Sequence, residues 1–261
     1  MNIDLTGKNA LIGGSSKGIG LAIAQRLAKS GANVTLMARN KSALDKAVDQ
    51  LDQTKDQFHQ NLVVDFSNYE AFSKQIEVYF EKNNIDILVN NTQGPAPGKA
   101  LEKKINDYQT AFDLLFKCAI RTTSLAIPHM KNKSWGRVIN VSSISVKEPL
   151  NNLVLSNSFR AALVSWAKSL SIDIAEFNIT INNILTGFFD TERLEQLNSF
   201  KAQQQGKTLL EINDEIKAII PMKRLGKVEE YANLVCFLAS ELSGYITGSN
   251  IPIDGGVLKS F

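Results

Sequence analysis

The segment Ala10–Gly20, with the sequence ALIGGSSKGIG, constrains the fold of this chain more than any other segment. A short apolar run leads into a glycine-rich turn and then directly into the apolar-periodic segment Leu21–Ser30. This order predicts a strand, a tight turn and a helix. Because the first amides of a helix have no partner within the helix, and its dipole is positive at that end, such a turn is suited to hold a phosphate.

The glycines of this turn have the spacing G-x-x-x-G-x-G. Glycine permits a tight turn, the close approach of a pyrophosphate, and close packing of helix against strand. An isolated pattern of this kind is also compatible with a turn that binds nothing. Its position between a first strand and an amphipathic helix favours dinucleotide binding. The predicted cofactor contacts in the turn are Gly14, Ser16, Lys17, Gly18, Ile19 and Gly20.

Apolar strands and amphipathic helices alternate along most of the chain. Further strands are predicted at residues 33–38, 62–64, 85–89, 137–141, 180–184 and 250–253, and a long helical segment is predicted at about 106–130. Near-continuous apolar runs are typical of parallel strands that are covered on both faces. The pattern predicts an α/β fold, a Rossmann-type doubly wound parallel sheet of about seven strands, with its ligand crevice at the carboxyl ends of the strands.

We expect residues 1–261 to form a single domain. The chain has 261 residues, 44% of them hydrophobic, which is enough for one substantial core, and it contains no repeat or linker. The alternation stops after Gly187, and a polar segment rich in Gln and Lys at 191–219 is broken by Gly206. This predicts two helical segments that form a mobile lid at about 190–220.

Composition argues against several functional classes. The net charge of +3, from 29 basic and 26 acidic residues, is nearly balanced and gives no argument for nucleic-acid binding. Two distant cysteines and two histidines do not predict a metal site. The N-terminus lacks a leader pattern, and no apolar run approaches the roughly 20 residues that span a bilayer. We therefore expect a cytoplasmic protein without metal, nucleic-acid or membrane partners.

Several segments together resemble the short-chain dehydrogenase/reductase family, particularly its 3-oxoacyl-(acyl carrier protein) reductase-like members. They occur in the family's order along essentially the whole chain. The segments are GGSSKGIG at 13–20, VDFSN at 64–68, ILVNN at 87–91, GRVINVSS at 136–143, TGFFDT at 186–191, PMKRLG at 221–226 and YITGSNIPIDGG at 245–256. The resemblance implies a Rossmann-type oxidoreductase that uses NAD(H) or NADP(H) and forms a homo-oligomer, either a tetramer or a dimer.

The resemblance also implies cofactor contacts outside the glycine turn. Asp65 would hydrogen-bond the adenine, and a turn aspartate at a strand end is the alternative interpretation. The segment from Thr186 would contact the nicotinamide, whereas Phe188 and Phe189 could instead pack between lid and sheet. The expected contacts are Asp65, Phe66, Asn91, Thr186, Gly187, Phe189, Thr191 and, through the ribose, Arg160.

The choice between NAD(H) and NADP(H) depends on the end of the second predicted strand. An NAD-specific site would place an acidic side chain on the ribose 2′-hydroxyl, about 20 residues past the glycines. Here the strand is followed by Arg39, with no acid before Asp45. Arg39 and Lys17 offer cations for a 2′-phosphate, and solvated surface charges are the alternative. We therefore expect NADP(H) as the cofactor.

The chain departs from the family in its catalytic residues. In the family a tyrosine supplies the proton, a lysine follows four residues later, a serine lies thirteen residues before the tyrosine, and an asparagine lies in the preceding long helix. Aligning RAAL at 160–163 places Ser143 at the serine position, Ser156 at the tyrosine position, Arg160 at the lysine position and Leu115 at the asparagine position. None of the five tyrosines has a lysine four residues later.

Two functional classes remain open. A serine hydroxyl is a much weaker acid than a phenol, whose pKa is about 10, and arginine does not release a proton at neutral pH. In the first class the protein is an NADP(H)-dependent reductase of a carbonyl or hydroxyl substrate, such as a 3-oxoacyl thioester, that uses Ser143, Ser156 and Arg160 with a proton from bound water. In the second it is a catalytically impaired NADP(H)-binding sensor or scaffold. The retained polar and cationic groups favour the first.

Overall fold

The computed structural model describes residues 3–260 and contains a seven-stranded sheet in the order β3-β2-β1-β4-β5-β6-β7. Neighbouring strands pair in parallel throughout. This confirms the predicted doubly wound α/β fold in a single Rossmann-like domain. The strands are β1 (Asn9–Gly13), β2 (Asn33–Ala38), β3 (His59–Val63), β4 (Ile87–Asn90), β5 (Gly136–Val141), β6 (Ile179–Thr186) and β7 (Asn250–Ile253).

Nine α-helices in the described part of the chain pack around this sheet. They are α1 (Gly18–Lys29), α2 (Lys41–Val48), α3 (Tyr69–Phe80), α4 (Ile105–Phe112), α5 (Cys118–Lys133), α6 (Val154–Ile174), α7 (Glu192–Gln205), α8 (Leu209–Ile219) and α9 (Val228–Leu238). Within residues 3–260, none is both long and apolar enough to cross a bilayer.

The core lies in two layers, one on each face of the sheet. Helices α1, α2 and α9 contribute to the layer that contains Ile12, and helices α3, α5 and α6 contribute to the layer that contains Leu11. These neighbouring residues of β1 are both fully buried because successive strand residues point to opposite faces. Burying such side chains stabilises each layer by roughly 1.5–3 kcal/mol per residue.

The structure corrects two predicted elements. Strand β3 covers His59–Val63 rather than 62–64, because the edge position accommodates the polar side chains of Gln60 and Asn61 that interrupt the apolar pattern. The predicted helix at 106–130 is divided into α4 and α5 by a π-helical turn at Asp113–Lys117. The polar segment does form two helices, α7 and α8, with Gly206 in the left-handed region at φ +63°.

A row of asparagine side chains crosses four adjacent strands. Asn90, Asn140, Asn183 and Asn250 occupy paired positions in β4, β5, β6 and β7. Each amide nitrogen donates to the next amide oxygen along the row, at 2.9 Å in all three bonds. Asn140 and Asn183 are fully buried, so these bonds satisfy polar groups that would otherwise be unpaired within the sheet.

We predict that Asn140→Ala destabilises the fold much more than Asn250→Ala. The first change leaves a buried acceptor on Asn183 without its donor and should lower the free energy of unfolding by about 2–4 kcal/mol. Asn250 is exposed at the sheet edge, where water can replace its oxygen as the acceptor for the Asn183 amide, so its removal should cost less than about 1 kcal/mol. Urea denaturation of both variants measures the difference. Equal decreases in the free energy of unfolding would contradict the greater importance of the buried centre of the row.

Candidate active site

The glycine-rich turn between β1 and α1 has the geometry of an anion cradle. Gly14 and Gly18 lie in the left-handed region, with φ of +54° and +58°. A Cβ atom on Gly20 would lie 2.3 Å from the carbonyl oxygen of Gly14, so any larger residue would open the turn. No side chain caps the start of α1 at Lys17. The first amides of this helix are therefore available to a phosphate.

The loop after β4 closes against the same turn. The Asn91 side-chain amide donates to the carbonyl oxygen of Gly13 at 3.0 Å. A Cβ atom on Gly13 would lie 2.2 Å from the backbone oxygen of Asn91. The two backbones therefore approach too closely for a side chain at Gly13.

The end of β2 and the end of β3 provide the other end of the crevice. Arg39 is exposed, and no carboxylate within 4 Å of it occurs among the described residues. Burial opposes the charge of Asp65, but hydrogen bonds from the hydroxyl and amide of Ser67, with the nearby charge of Arg39, lower the pKa of its carboxyl group. Asp65 is therefore ionised at neutral pH, and it and Arg39 influence each other electrostatically.

The Ser156 and Arg160 side chains meet on one face of α6, one helical turn apart. The Arg160 Nε donates to Ser156 Oγ at 3.1 Å, and Nη1 donates to the backbone oxygen of Val141 at the end of β5 at 2.5 Å. The pKa of Arg160 is lowered to about 10, mainly by burial. Tyr231 raises this pKa slightly, and the positive charge of Arg193 lowers it further. Arg160 therefore stays charged at neutral pH and holds Ser156 in place.

Ser143 has a different hydrogen-bond partner. Its hydroxyl oxygen accepts from the amide of Ser145 at 3.1 Å at the start of the segment after β5. In residues 3–260 no hydrogen bond connects Ser143 to Ser156 or Arg160. A direct hydrogen bond thus links two of the three predicted catalytic residues.

A pocket at the carboxyl ends of β1, β4 and β5 joins the predicted cofactor and catalytic regions. Its walls include Gly13, Phe66, Asn91, Leu115 and Arg160. Leu115 is buried within the π-helical turn between α4 and α5. Turns of this kind are often found at functional sites. Leu115 presents an apolar surface where the family has a polar amide.

One hydrogen-bonded pair of side chains at this site could not be predicted from the sequence. The hydroxyls of Thr186 and Tyr231 are 3.0 Å apart, and Tyr231 packs edge-on against Phe189 with ring centroids 5.3 Å apart. Burial raises the pKa of Tyr231, which therefore remains protonated, and the two hydroxyls share one hydrogen bond. Tyr231 lies 45 residues from Thr186 in an apolar helix pattern, so no local motif marks the pair.

The first turn of α7 contacts both walls of the crevice. Lys17 of the glycine turn forms an ion pair of 2.6 Å with Glu192. Arg193 donates from Nη2 to the carbonyl oxygen of Pro95, in the loop after β4, at 3.1 Å. Lys17 therefore has a carboxylate partner in this structure, whereas the predicted contact Arg39 has none among the described residues.

Comparison with known proteins identifies the family. A family model described as enoyl-(acyl carrier protein) reductase matches residues 14–258. A mammalian protein from Oryctolagus cuniculus that is named dehydrogenase/reductase SDR family member 4 is 32% identical over 97% of this chain and 94% of its own length. The chain belongs to the short-chain dehydrogenase/reductase family. This confirms the family resemblance of the sequence motifs.

Other similar members of the family match along their whole length. The NADPH-dependent reductase BacG of Bacillus subtilis is 32% identical, over 97% of this chain and 98% of its own. The 3-oxoacyl-[acyl-carrier-protein] reductase FabG of Aquifex aeolicus is 31% identical, over 98% and 100%. The crystal structure of L-sorbose reductase from Gluconobacter frateurii, complexed with NADPH and L-sorbose, aligns with a TM-score of 0.92 and 31% identity over the full length of both chains.

Proposed function

We propose that this short-chain dehydrogenase/reductase is an NADPH-dependent reductase of a carbonyl substrate. The observation that carries the proposal is the uncapped glycine turn at Lys17 together with an exposed Arg39 and no acid at the end of β2. Relatives named as NADPH-dependent reductases match nearly the whole chain and support it. When bound, the dinucleotide supplies the hydride, and the chain binds it, orients it and stabilises the substrate oxygen.

The cofactor would lie along the carboxyl edge of the sheet. We assign the pyrophosphate to the amides of the glycine turn, the adenine to Asp65, and the 2′-phosphate to Arg39, because a guanidinium pairs with phosphate oxygens through two donors. Lys17 would assist after exchanging Glu192 for the phosphate. The full set of proposed contacts is Gly14, Ser16, Lys17, Gly18, Ile19, Gly20, Arg39, Asp65, Phe66, Asn91, Arg160, Thr186, Gly187, Phe189 and Thr191.

At the reacting end, Arg160 would bind the ribose and stabilise developing negative charge on the substrate oxygen. A guanidinium has five N–H donors, and the contacts with Ser156 and Val141 use only two of them. Fixed donors of this kind can supply a substantial part of a rate enhancement. Because Arg160 stays protonated, it orients and does not relay, and we propose that a water held by Ser143 and Ser156 delivers the proton.

A catalytically impaired NADP(H)-binding protein with a sensor or scaffold role is the second candidate. It is favoured by one specific observation, the replacement of the family's polar residue by the buried Leu115 beside Arg160. Such a protein would bind NADPH normally and reduce no carbonyl compound. The two proposals share the cofactor site and differ only in turnover.

Several narrower expectations belong to the same proposal. Residues of about 190–220, within one 261-residue domain, would act as a lid over the substrate. The contacts of α7 with both crevice walls support this role.

A 3-oxoacyl thioester is one substrate candidate, as the name of the Aquifex aeolicus relative suggests. We further propose that the protein forms a homodimer or homotetramer in the cytoplasm.

We predict that Arg39→Asp weakens NADPH binding roughly tenfold or more, because a charge-assisted hydrogen bond to the 2′-phosphate becomes a repulsion. NADH affinity should change little or improve, since an acid can bind a ribose hydroxyl. Fluorescence titration with both cofactors measures this. Lys41→Ala, which removes an exposed charge paired with Asp45, is the control. Equal losses for NADPH and NADH would contradict the assignment of Arg39.

We predict that Arg160→Ala lowers carbonyl reduction by about two orders of magnitude and Ser156→Ala by less, because they remove donors from the reacting oxygen and its water. Turnover is measured as NADPH oxidation with a panel of ketones, quinones and 3-oxoacyl thioesters. Ser169→Ala is the control on the same helix, since among residues 3–260 the Ser169 hydroxyl hydrogen-bonds only to the carbonyl oxygen of Ser165. Undiminished activity in both test variants would show that the active site is elsewhere.

A further inference from the structure

Two guanidinium groups at the crevice have no carboxylate partner. Arg160 donates to a serine hydroxyl and a backbone carbonyl, and Arg193 donates to the backbone carbonyl of Pro95 at 3.1 Å. Among residues 3–260, no Asp or Glu oxygen lies within 4.0 Å of either group. Arg160 is half-buried, so its charge is costly unless an anion accompanies it, whereas Arg193 is exposed and open to an anionic ligand.

The loop after β4 links the surroundings of the two groups. Arg193 projects from α7 to the loop after β4, where a Cβ atom on Gly94 would lie 3.3 Å from its Nη2. The preceding residues of that loop, 91–92, line the same pocket as Arg160. Burial is the main cause of the lowered pKa of Arg160, and the charge of Arg193 lowers it further, so the two cations are close enough to repel each other.

Three acidic side chains near this edge have other partners. Glu192, the neighbour of Arg193, pairs with Lys17. Glu148 accepts hydrogen bonds from two amides, and Asp254 from two more, in the C-terminal segment 256–260. These carboxylates are therefore engaged in holding the glycine turn and the C-terminal segment, and they do not neutralise the two arginines.

We propose that the substrate is a carbonyl compound that carries a carboxylate, and that Arg193 binds this carboxylate while Arg160 faces the carbonyl oxygen. The inference rests on the proposed reductase function and names its substrate class. A guanidinium binds a carboxylate through two parallel hydrogen bonds, which fixes orientation as well as affinity. Placing this arginine on α7 couples substrate binding to the segment that bridges the crevice. The cofactor pyrophosphate is the other anion that could meet Arg193, and the experiment separates the two.

The test compares keto acids with their methyl esters, which differ mainly in charge. Levulinate, acetoacetate and benzoylformate, each with its ester, are titrated by calorimetry into the wild-type protein with and without NADP⁺, which fills the cofactor site without donating a hydride. The variants are Arg193→Ala, Arg193→Lys as the conservative rescue, and Lys55→Ala as a charge-matched control. Lys55 pairs with Asp4 at 3.0 Å in the segment before β3, at the opposite edge of the sheet.

The wild-type protein should bind at least one acid roughly tenfold or more tightly than its ester, the difference expected for a charged hydrogen bond. Arg193→Ala should abolish this preference without changing ester or NADPH affinity, Arg193→Lys should restore part of it, and Lys55→Ala should retain it. If no acid is preferred, or if Arg193→Ala weakens NADPH instead, the substrate assignment is wrong. Acid binding that depends on Arg193 in a protein that does not bind NADPH would overturn the reductase function alone.

Discussion

The site depends on the close backbone approach of two segments at the carboxyl edge of the sheet. The turn after β1 leaves no room for a Cβ at Gly20, and the loop after β4 leaves none at Gly13. Asn91 fastens the two segments by donating to the oxygen of Gly13. Because these contacts fix the start of α1, its free amides face the crevice in a defined direction. The proposed cofactor site and the pocket beside Arg160 both depend on this arrangement.

Much of the fold and the cofactor edge could be predicted from the sequence, because both depend on local patterns. The strand–turn–helix unit at Gly14–Gly20 and the repeated apolar strands need only neighbouring residues to be recognised. The bond between Thr186 and Tyr231 joins β6 to α9 and left no such mark. The sequence did not predict the polar first part of β3 or the π-helical turn at Asp113–Lys117, because tertiary packing outweighs local preference at both places.

The reacting end of the crevice differs from its binding end in the kind of chemistry that it retains. Ser156 and Arg160 preserve hydrogen-bond donors and a positive charge at the correct spacing, but neither is a good proton donor at neutral pH. Leu115 adds an apolar wall beside them. Such a site favours stabilisation of a developing oxyanion, with solvent as the source of the proton. The additional charge of Arg193 would give the same site a preference for anionic substrates.

Isotope transfer shows most directly whether the protein transfers a hydride from NADPH to a carbonyl carbon. The protein is incubated with NADPH deuterated at the transferable position of the nicotinamide and with a panel of keto acids and neutral ketones, and products are analysed by mass spectrometry. We predict an alcohol that carries one deuterium on the former carbonyl carbon, and we expect Arg160→Ala to lower the rate of its formation. A protein that binds NADPH tightly but yields no deuterated alcohol from any compound would contradict it.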